Sequence, residues 1–430
     1  MKVVVVGGGA AGTRAAIEIR KKDRNAEITV INEQGYREYS PCGMPFVLSE
    51  EVQGFEDLQT LDKKFYEKMK IELILGEKVE KIDSKTKTVF YGNKEMNYDK
   101  LVIATGSYAF TPAVEGIDSG KVIVFKGLAD AKKIHKKMED AKKAVVIGAG
   151  LIGLETAYAF AKNEIEVTVV EMLDRVLPMM LDRDMAGEVK KYLEKKDIRI
   201  HLNEKVESIG KTVNTDKREI PADLVVVATG VRANTELAEK AGIEVERGIK
   251  VNEKMETSAS DIYACGDCVE SADFITGRPI MSQLATTAVR QAKVLAENIT
   301  GGDAEFDPVL NTSITELFGL EIGSTGLTDF RAKKEGIKII KGRYKGKTRP
   351  EYMKGADIIV KIIADKEGTI IGAQMAGKGL VGRMDAITLA IRSKMNVKEL
   401  SNMEYCYAPP VSPEFEPMYL ACEMAVRKLR

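Results

Sequence analysis

Two stretches of the chain share one pattern of apolar and small residues. Val3-Val4-Val5-Val6 runs into Gly7-Gly8-Gly9-Ala10-Ala11-Gly12, and Ala144-Val145-Val146-Ile147 runs into Gly148-Ala149-Gly150-Leu151-Ile152-Gly153. A short apolar run without polar alternation is the pattern of a strand buried on both faces. The glycines end each strand, and helices are expected over Thr13 to Arg20 and Leu154 to Ala161. A further apolar strand follows each helix, at Ile28–Ile31 and Val167–Val170. Strand, helix and strand in this order predict two parallel α/β units of the Rossmann kind.

The runs Leu101 to Gly106 and Leu224 to Gly230 both end in Ala-Thr-Gly. Each reads as a buried strand closed by a tight turn that carries the chain across a domain border, with Pro112 and Gly116 in a linker. Ile262-Tyr263-Ala264 is one more strand, ending at Cys265-Gly266-Asp267. From about residue 310 the pattern changes. Strands over Ile358 to Ile363 and Thr369 to Ala373, a helix near Asp385 to Ser393 and a tail with Pro409, Pro410 and Pro413 indicate a third, α+β domain. The run Val3–Val6 is too short for a signal-peptide core, and no stretch approaches the ~20 apolar residues of a membrane span.

At 430 residues the chain is long enough for two or three separate cores. Lysine plus arginine equals aspartate plus glutamate at 65 each, which gives no electrostatic reason to expect nucleic acid or anionic membrane as partner. The 30% charged content, rich in Lys and Glu, is compatible with a heat-adapted source. The cysteines are few and scattered, at 42, 265, 268, 406 and 422. That argues against a disulfide framework and for a reducing, cytoplasmic setting. Cys265 and Cys268 have C-x-x-C spacing but no thioredoxin-like context, so packing is expected of them. Without a second pair no metal site is expected. Only two histidines occur, His135 and His201, which restricts the acid–base chemistry.

The glycine spacing specifies a ligand class. Gly7 and Gly148 allow the tight turn, Gly9 and Gly150 let a pyrophosphate approach, and Gly12 and Gly153 let helix pack on strand. Ala10 and Ala11, like Leu151 and Ile152, belong to the phosphate-facing turn, and the helix after it points its N-terminus at the phosphates. The following strands end in Asn32-Glu33 and in Glu171, able to accept ribose hydroxyls. Glu171 would repel a 2′-phosphate, so NADH is expected ahead of NADPH at the second site, with Arg175 softening the preference.

These features resemble the pyridine nucleotide–disulfide oxidoreductases over essentially the whole chain. The resemblance implies an FAD-binding domain at 1–112 and 245–310, an inserted NAD(P)H-binding domain at 113–244 and a dimerisation domain at 311–430. It makes Asp267 the ligand of the FAD ribityl chain and sets the helix after Leu284 with its N-terminus, at Ala285, toward the flavin. It also implies cofactor contacts at Ser40, Val79, Ala104, Thr105, Gly106 and Gly266 for FAD and at Gly230 for the nicotinamide nucleotide.

Cys42, in Ser40-Pro41-Cys42-Gly43-Met44-Pro45, resembles the redox cysteine of that family's single-cysteine branch, because Val47 stands where a dithiol enzyme carries its partner. The branch holds coenzyme A-disulfide reductases, NADH oxidases, NADH peroxidases and persulfide or polysulfide reductases. Tyr407-Ala408-Pro409-Pro410 matches its tyrosine signature, which implies that Tyr407, supported by Tyr352, reaches the partner subunit's active site in a homodimer. Two departures stand out: Asn32 replaces a ribose-binding acid, and Ala10 replaces the histidine of the peroxidases.

Residues 43–48 are expected to open a helix with Pro45 in its first turn, lowering the Cys42 thiol pKa. With no vicinal thiol, Cys42 must cycle through a mixed disulfide, persulfide or sulfenic acid. No histidine follows His201, so Tyr407 with Tyr352 is the candidate proton donor, and Cys406 a candidate resolving thiol. Arg20 and Lys21 are candidates for coenzyme A phosphates by resemblance, as well as for a solvated face. The expected function is NADH-dependent, FAD-mediated reduction of a small-molecule sulfur–sulfur bond in coenzyme A disulfide, coenzyme A persulfide or polysulfide. NADH oxidase activity is the alternative, and a redox-sensing flavoprotein a third reading. The sequence ends at Arg430 without a rhodanese-like segment, so persulfide sulfur is expected from a free small molecule or another protein.

Overall fold

The computed structural model describes residues 1–429. Two five-stranded parallel sheets carry the glycine turns, and in each the strand ahead of the glycines is central. Lys2–Val6 lies between Lys100–Ile103 and Glu27–Asn32, while Lys143–Ile147 lies between Leu224–Val227 and Glu166–Glu171. A central parallel strand is covered by helices on both faces, so every residue from Val3 to Val6 and from Ala144 to Ile147 is buried. Both glycine-turn helices are longer than expected, Ala10–Lys22 and Leu151–Lys162. The third glycine of each motif therefore sits inside the first helical turns rather than ahead of them.

The strand Ile262–Ala264 pairs with Lys100–Ile103 and completes the first sheet only after the second sheet has been built. The second α/β unit is thus inserted into the first. The connections run side by side as an antiparallel ribbon, Ser107–Ala109 against Val231–Ala233. Each ribbon strand follows a left-handed glycine, Gly106 at φ +67° and Gly230 at φ +100°, which is why the Ala-Thr-Gly ending occurs twice.

The C-terminal unit is a five-stranded antiparallel sheet beginning at Ser313–Leu317, packed against helices Leu380–Arg392 and Pro417–Val426. One apolar core joins all three units. Met44, Val47 and Leu48 pack with Leu154 and Phe160 of the second unit and with Leu317 and Ile322 of the third. The segment after Cys42 is therefore clamped between domains. No helix of the described residues is long and apolar enough to cross a membrane.

Candidate active site

The two glycine turns share one backbone geometry. Gly7 and Gly148 have φ of +110° and +107°, a region costly for any side chain. A Cβ on Gly12 would stand 1.9 Å from the Gly7 carbonyl oxygen, and one on Gly153 2.0 Å from that of Gly148. Between them Gly9 and Gly150 have nothing within 4 Å of a Cβ. Each turn thus holds helix tightly on strand and leaves open the spot where backbone N–H groups can meet an anion.

Both turns open into one cavity of about 2130 Å³. From the first unit it is lined by Gly7, Gly9, Ala10, Ala11, Asn32, Glu33, Cys42, Val79, Ala104, Thr105, Gly106, Gly266, Asp267 and Ala285. The second unit contributes Gly148, Gly150, Leu151, Ile152, Glu171 and Gly230. Gly12 and Gly153 serve packing and do not line it. Ser40 is not part of the wall either; its backbone N–H binds Leu58 O. Of the two candidates after the first sheet's second strand, Asn32 is engaged, donating to Tyr36 O at 2.9 Å. Glu33 is exposed and stands free at the cavity edge. Glu171 is buried and accepts from the N–H groups of Ala149 at 2.8 Å and Leu173 at 2.7 Å. Its charge is thereby fixed beside the second turn. Arg175 does not soften that charge as expected, because its guanidinium holds Leu181 O, Pro178 O and Asp174.

Cys42 lies in a 3₁₀ turn, Pro41–Gly43, leading directly into helix Met44–Leu48 with Pro45 in its first turn. That helix is tied to the second unit: Asn163 Nδ2 donates to Leu48 O at 2.9 Å, and Tyr158 bonds Glu51. The expected lowering of the thiol pKa is not what the protein alone produces. Cys42 is exposed to the cavity, yet its walls strip part of the thiol's water and push it up; the carboxyl groups of Glu155 and Asp267 push the same way, and Lys126 opposes them. A one-turn helix is too short a dipole to reverse the desolvation.

Lys126 and Glu155 are functional candidates that sequence reasoning missed. Lys126 Nζ donates to Ser107 Oγ at 2.7 Å, and Ser107 Oγ donates to Asp267 Oδ2 at 2.7 Å. Burial lowers the Lys126 pKa, while Asp267 and Cys42 hold it up. Nothing in the sequence around Lys126 marks it; the inter-domain ribbon brings it to the cysteine. Glu155 lines the cavity from helix Leu151–Lys162, and its partner is the Thr315 hydroxyl, donating at 2.7 Å. Burial raises its pKa, and no ion pair to it occurs among the described residues. Its signal was present: Glu155 is four residues after Leu151, on the helix face that lines the cavity.

The remaining cysteines and the tyrosines lie elsewhere. Cys265 and Cys268 are fully buried, and burial raises both thiols, Cys268 to about 11. They are packing residues. Tyr352 and Tyr407 are neighbours on the exposed surface of the C-terminal unit, and within one chain neither lines the Cys42 cavity. Cys406 is exposed beside them, whereas Tyr405 is engaged, donating to Glu414 O at 2.5 Å.

Arg20 needs correction as a coenzyme A contact. Its side chain is buried and its guanidinium donates to the carbonyls of Met69, Lys70, Asp23 and Arg24. It ties down a helix end and a loop. Lys21 is exposed, pairs with Glu18 and lines a smaller pocket of about 570 Å³ with Lys22 and Arg24.

This geometry can be set against known proteins. Residues 1–292 match the family described as pyridine nucleotide-disulphide oxidoreductase, and residues 313–419 match its dimerisation domain. The chain belongs to this family. It is therefore a flavoprotein oxidoreductase of the FAD- and NAD(P)H-using kind, carrying a dimerisation domain. It is 43% identical to a Methanocaldococcus jannaschii protein named NADH oxidase, covering 100% of this chain and 99% of the relative. It is 34% identical to the NAD(P)H coenzyme A polysulfide/persulfide reductase of Pyrococcus horikoshii, covering 97% of this chain and 96% of that one. Among solved structures it is similar to an NAD-dependent persulfide reductase from A. fulgidus, with a TM-score of 0.97 and 39% identity. That likeness covers 100% of this chain and 83% of the other.

Proposed function

We propose that this oxidoreductase uses NADH to reduce a sulfur–sulfur bond in coenzyme A disulfide, coenzyme A persulfide or polysulfide through Cys42. The observation that carries this reading is the position of Cys42. It faces the one cavity into which both glycine turns open, and no second cysteine lines that cavity among the described residues.

The residues fit two dinucleotides. Residues 1–112 with 245–310 would hold FAD through the open N–H groups around Gly9, Glu33 for a ribose and Asp267 for the ribityl chain. Residues 113–244 would hold NADH through Gly150 and the fixed charge of Glu171. A flavin held there would provide the two-electron relay from nicotinamide to sulfur.

The chain's own part is to hold a thiolate and move a proton. Lys126 supplies the positive charge that favours the Cys42 thiolate against burial. That thiolate attacks the substrate sulfur, forming a mixed disulfide or persulfide and releasing a thiolate that must be protonated. Glu155, whose pKa burial raises, is one candidate proton source. Tyr407 with Tyr352, from the partner subunit of a homodimer whose active site spans the interface, is the second. Lys21, with Arg24, is a candidate for the phosphate end of coenzyme A. These residues lie about 20 Å from the glycine turn, at the far end of a 13-residue helix.

NADH oxidase activity is the second reading, favoured by the name of the M. jannaschii relative. Anaerobic stopped-flow mixing of NADH-reduced enzyme with coenzyme A disulfide, coenzyme A persulfide, polysulfide and then oxygen separates the two. Rapid flavin reoxidation by a sulfur substrate, abolished by Cys42→Ser, is expected. Reoxidation by oxygen alone, unchanged in Cys42→Ser, would overturn the sulfur-reductase reading.

A further inference from the structure

The segment from Met172 to Leu181, directly after Glu171, has no helix or strand of its own. Met172, Leu173, Pro178 and Met179 line the cavity beside the second glycine turn. A loop of this kind keeps a binding shape only if something outside it fixes that shape. Here the fixing group is Asp182, at the loop's end and the start of helix Arg183–Glu194.

The Asp182 carboxylate accepts from Lys361 Nζ at 2.9 Å and Gln374 Nε2 at 2.7 Å, both on the C-terminal sheet. It also accepts from the N–H groups of Asp329 at 3.1 Å and Phe330 at 3.3 Å. In return, the Asp182 N–H donates to Gln374 Oε1 at 2.9 Å. Lys361 is 2% exposed and Gln374 1% exposed. Charges this deep persist only in a fixed, fully bonded arrangement, so the loop end has one position relative to the C-terminal sheet. The middle of the loop is held from the same side. Arg175, which donates to Leu181 O, stacks on the Phe330 ring at 5.4 Å.

We infer that the C-terminal domain sets the shape of the NADH-binding loop, with Lys361, Gln374 and Phe330 as positioning residues for the nucleotide. This rests on the reading of the second glycine turn as the NADH site. The domain that carries the dimer face would then also determine NADH affinity, through its hold on Asp182.

The test is flavin reduction by NADH in anaerobic stopped-flow, with the concentration dependence giving Kd and the plateau giving the hydride-transfer rate. Phe330→Ala, at a 60% exposed position, should fold normally. Its Kd should rise about fivefold, with the plateau within twofold of the parent. Gln374→Leu should raise Kd by about tenfold or more, while reoxidation of dithionite-reduced enzyme by the sulfur substrate stays unchanged. Unchanged Kd in both variants, with at most a lower melting temperature, would mean that these contacts are only structural and would overturn the inference. Failure of NADH to reduce the parent enzyme at all would instead remove the nucleotide reading beneath it.

Discussion

Replacing Gly150 or Gly153 by alanine adds the same methyl group at two points of one turn, three residues apart, with opposite expected consequences. At Gly153 the new Cβ would stand 2.0 Å from Gly148 O and 3.5 Å from Val146 Cγ1. The first distance is more than 1 Å short of the ~3.5 Å at which non-bonded atoms rest. The opposing atom is backbone at the end of a central strand, so it cannot swing away. Overpacking of this kind costs about 3 kcal/mol, offset by about 1 kcal/mol for alanine over glycine in a helix. For a chain of 430 residues, a net loss of about 2 kcal/mol corresponds to a melting temperature lower by about 2 °C. At Gly150 the Cβ meets nothing within 4 Å, and φ −76° with ψ −175° suits any residue. Stability should change by less than about 0.5 kcal/mol. The methyl would, however, fill the space a pyrophosphate needs, and NADH affinity should fall by at least about tenfold. Melting of the FAD-loaded enzyme and the NADH dependence of flavin reduction measure the two effects, with flavin absorbance as the control for folding. The argument fails if Gly150→Ala keeps its NADH affinity within twofold, or if both variants lose the same melting temperature.

Three further outcomes are expected. Lys126→Met removes the cation that favours the Cys42 thiolate, so the rise of Cys42 alkylation with pH should move to higher pH; an unmoved profile would show that Lys126 does not act on the thiol. Glu155, whose pKa burial raises, favours the folded state only while protonated. Its contribution is intact below the ordinary carboxyl range and is lost as pH rises through the raised pKa. Glu155→Gln should accordingly match the parent's melting temperature in acid and exceed it at pH 8; a variant less stable at pH 8 than at pH 5, relative to the parent, would contradict this. Glu171→Gln removes the charge and keeps an acceptor for only one of the Ala149 and Leu173 N–H groups, which bond different carboxylate oxygens. The ratio of kcat/KM for NADPH to that for NADH should rise by about tenfold, and an unchanged ratio would show that the charge does not exclude a 2′-phosphate.

Much of this architecture was legible because it is written in nearest neighbours along the chain. Four apolar residues followed by glycines identified the central strands. The repeated Ala-Thr-Gly ending marked both crossings of the inter-domain ribbon. Each glycine's role follows from what its own turn leaves room for. Cys42 could likewise be singled out, together with the short helix after it. The helix starts were misplaced because the residues between the second and third glycines are already helical.

Charge and contact at a distance were not legible in this way. Arg20 looked like a phosphate ligand until Met69 and Lys70 turned out to supply its carbonyl acceptors. Arg175 looked free until the loop closed over it. Lys126 is nineteen residues from Ser107, and Lys361 is 179 residues from Asp182. Nothing local distinguishes either lysine from a solvated one. The sequence by itself determined which segments form strands and turns, where two dinucleotides would lie and which thiol stands between them. Those outcomes depend on backbone sterics and on apolar burial, which act through residues close together in the chain. Only the tertiary structure decided which way its surroundings push the Cys42 thiol, which carboxyl groups and which cation face it, and what holds the loop after Glu171. A charge's energy is set by every group that packs around it and by the water they exclude, and those groups come from three domains.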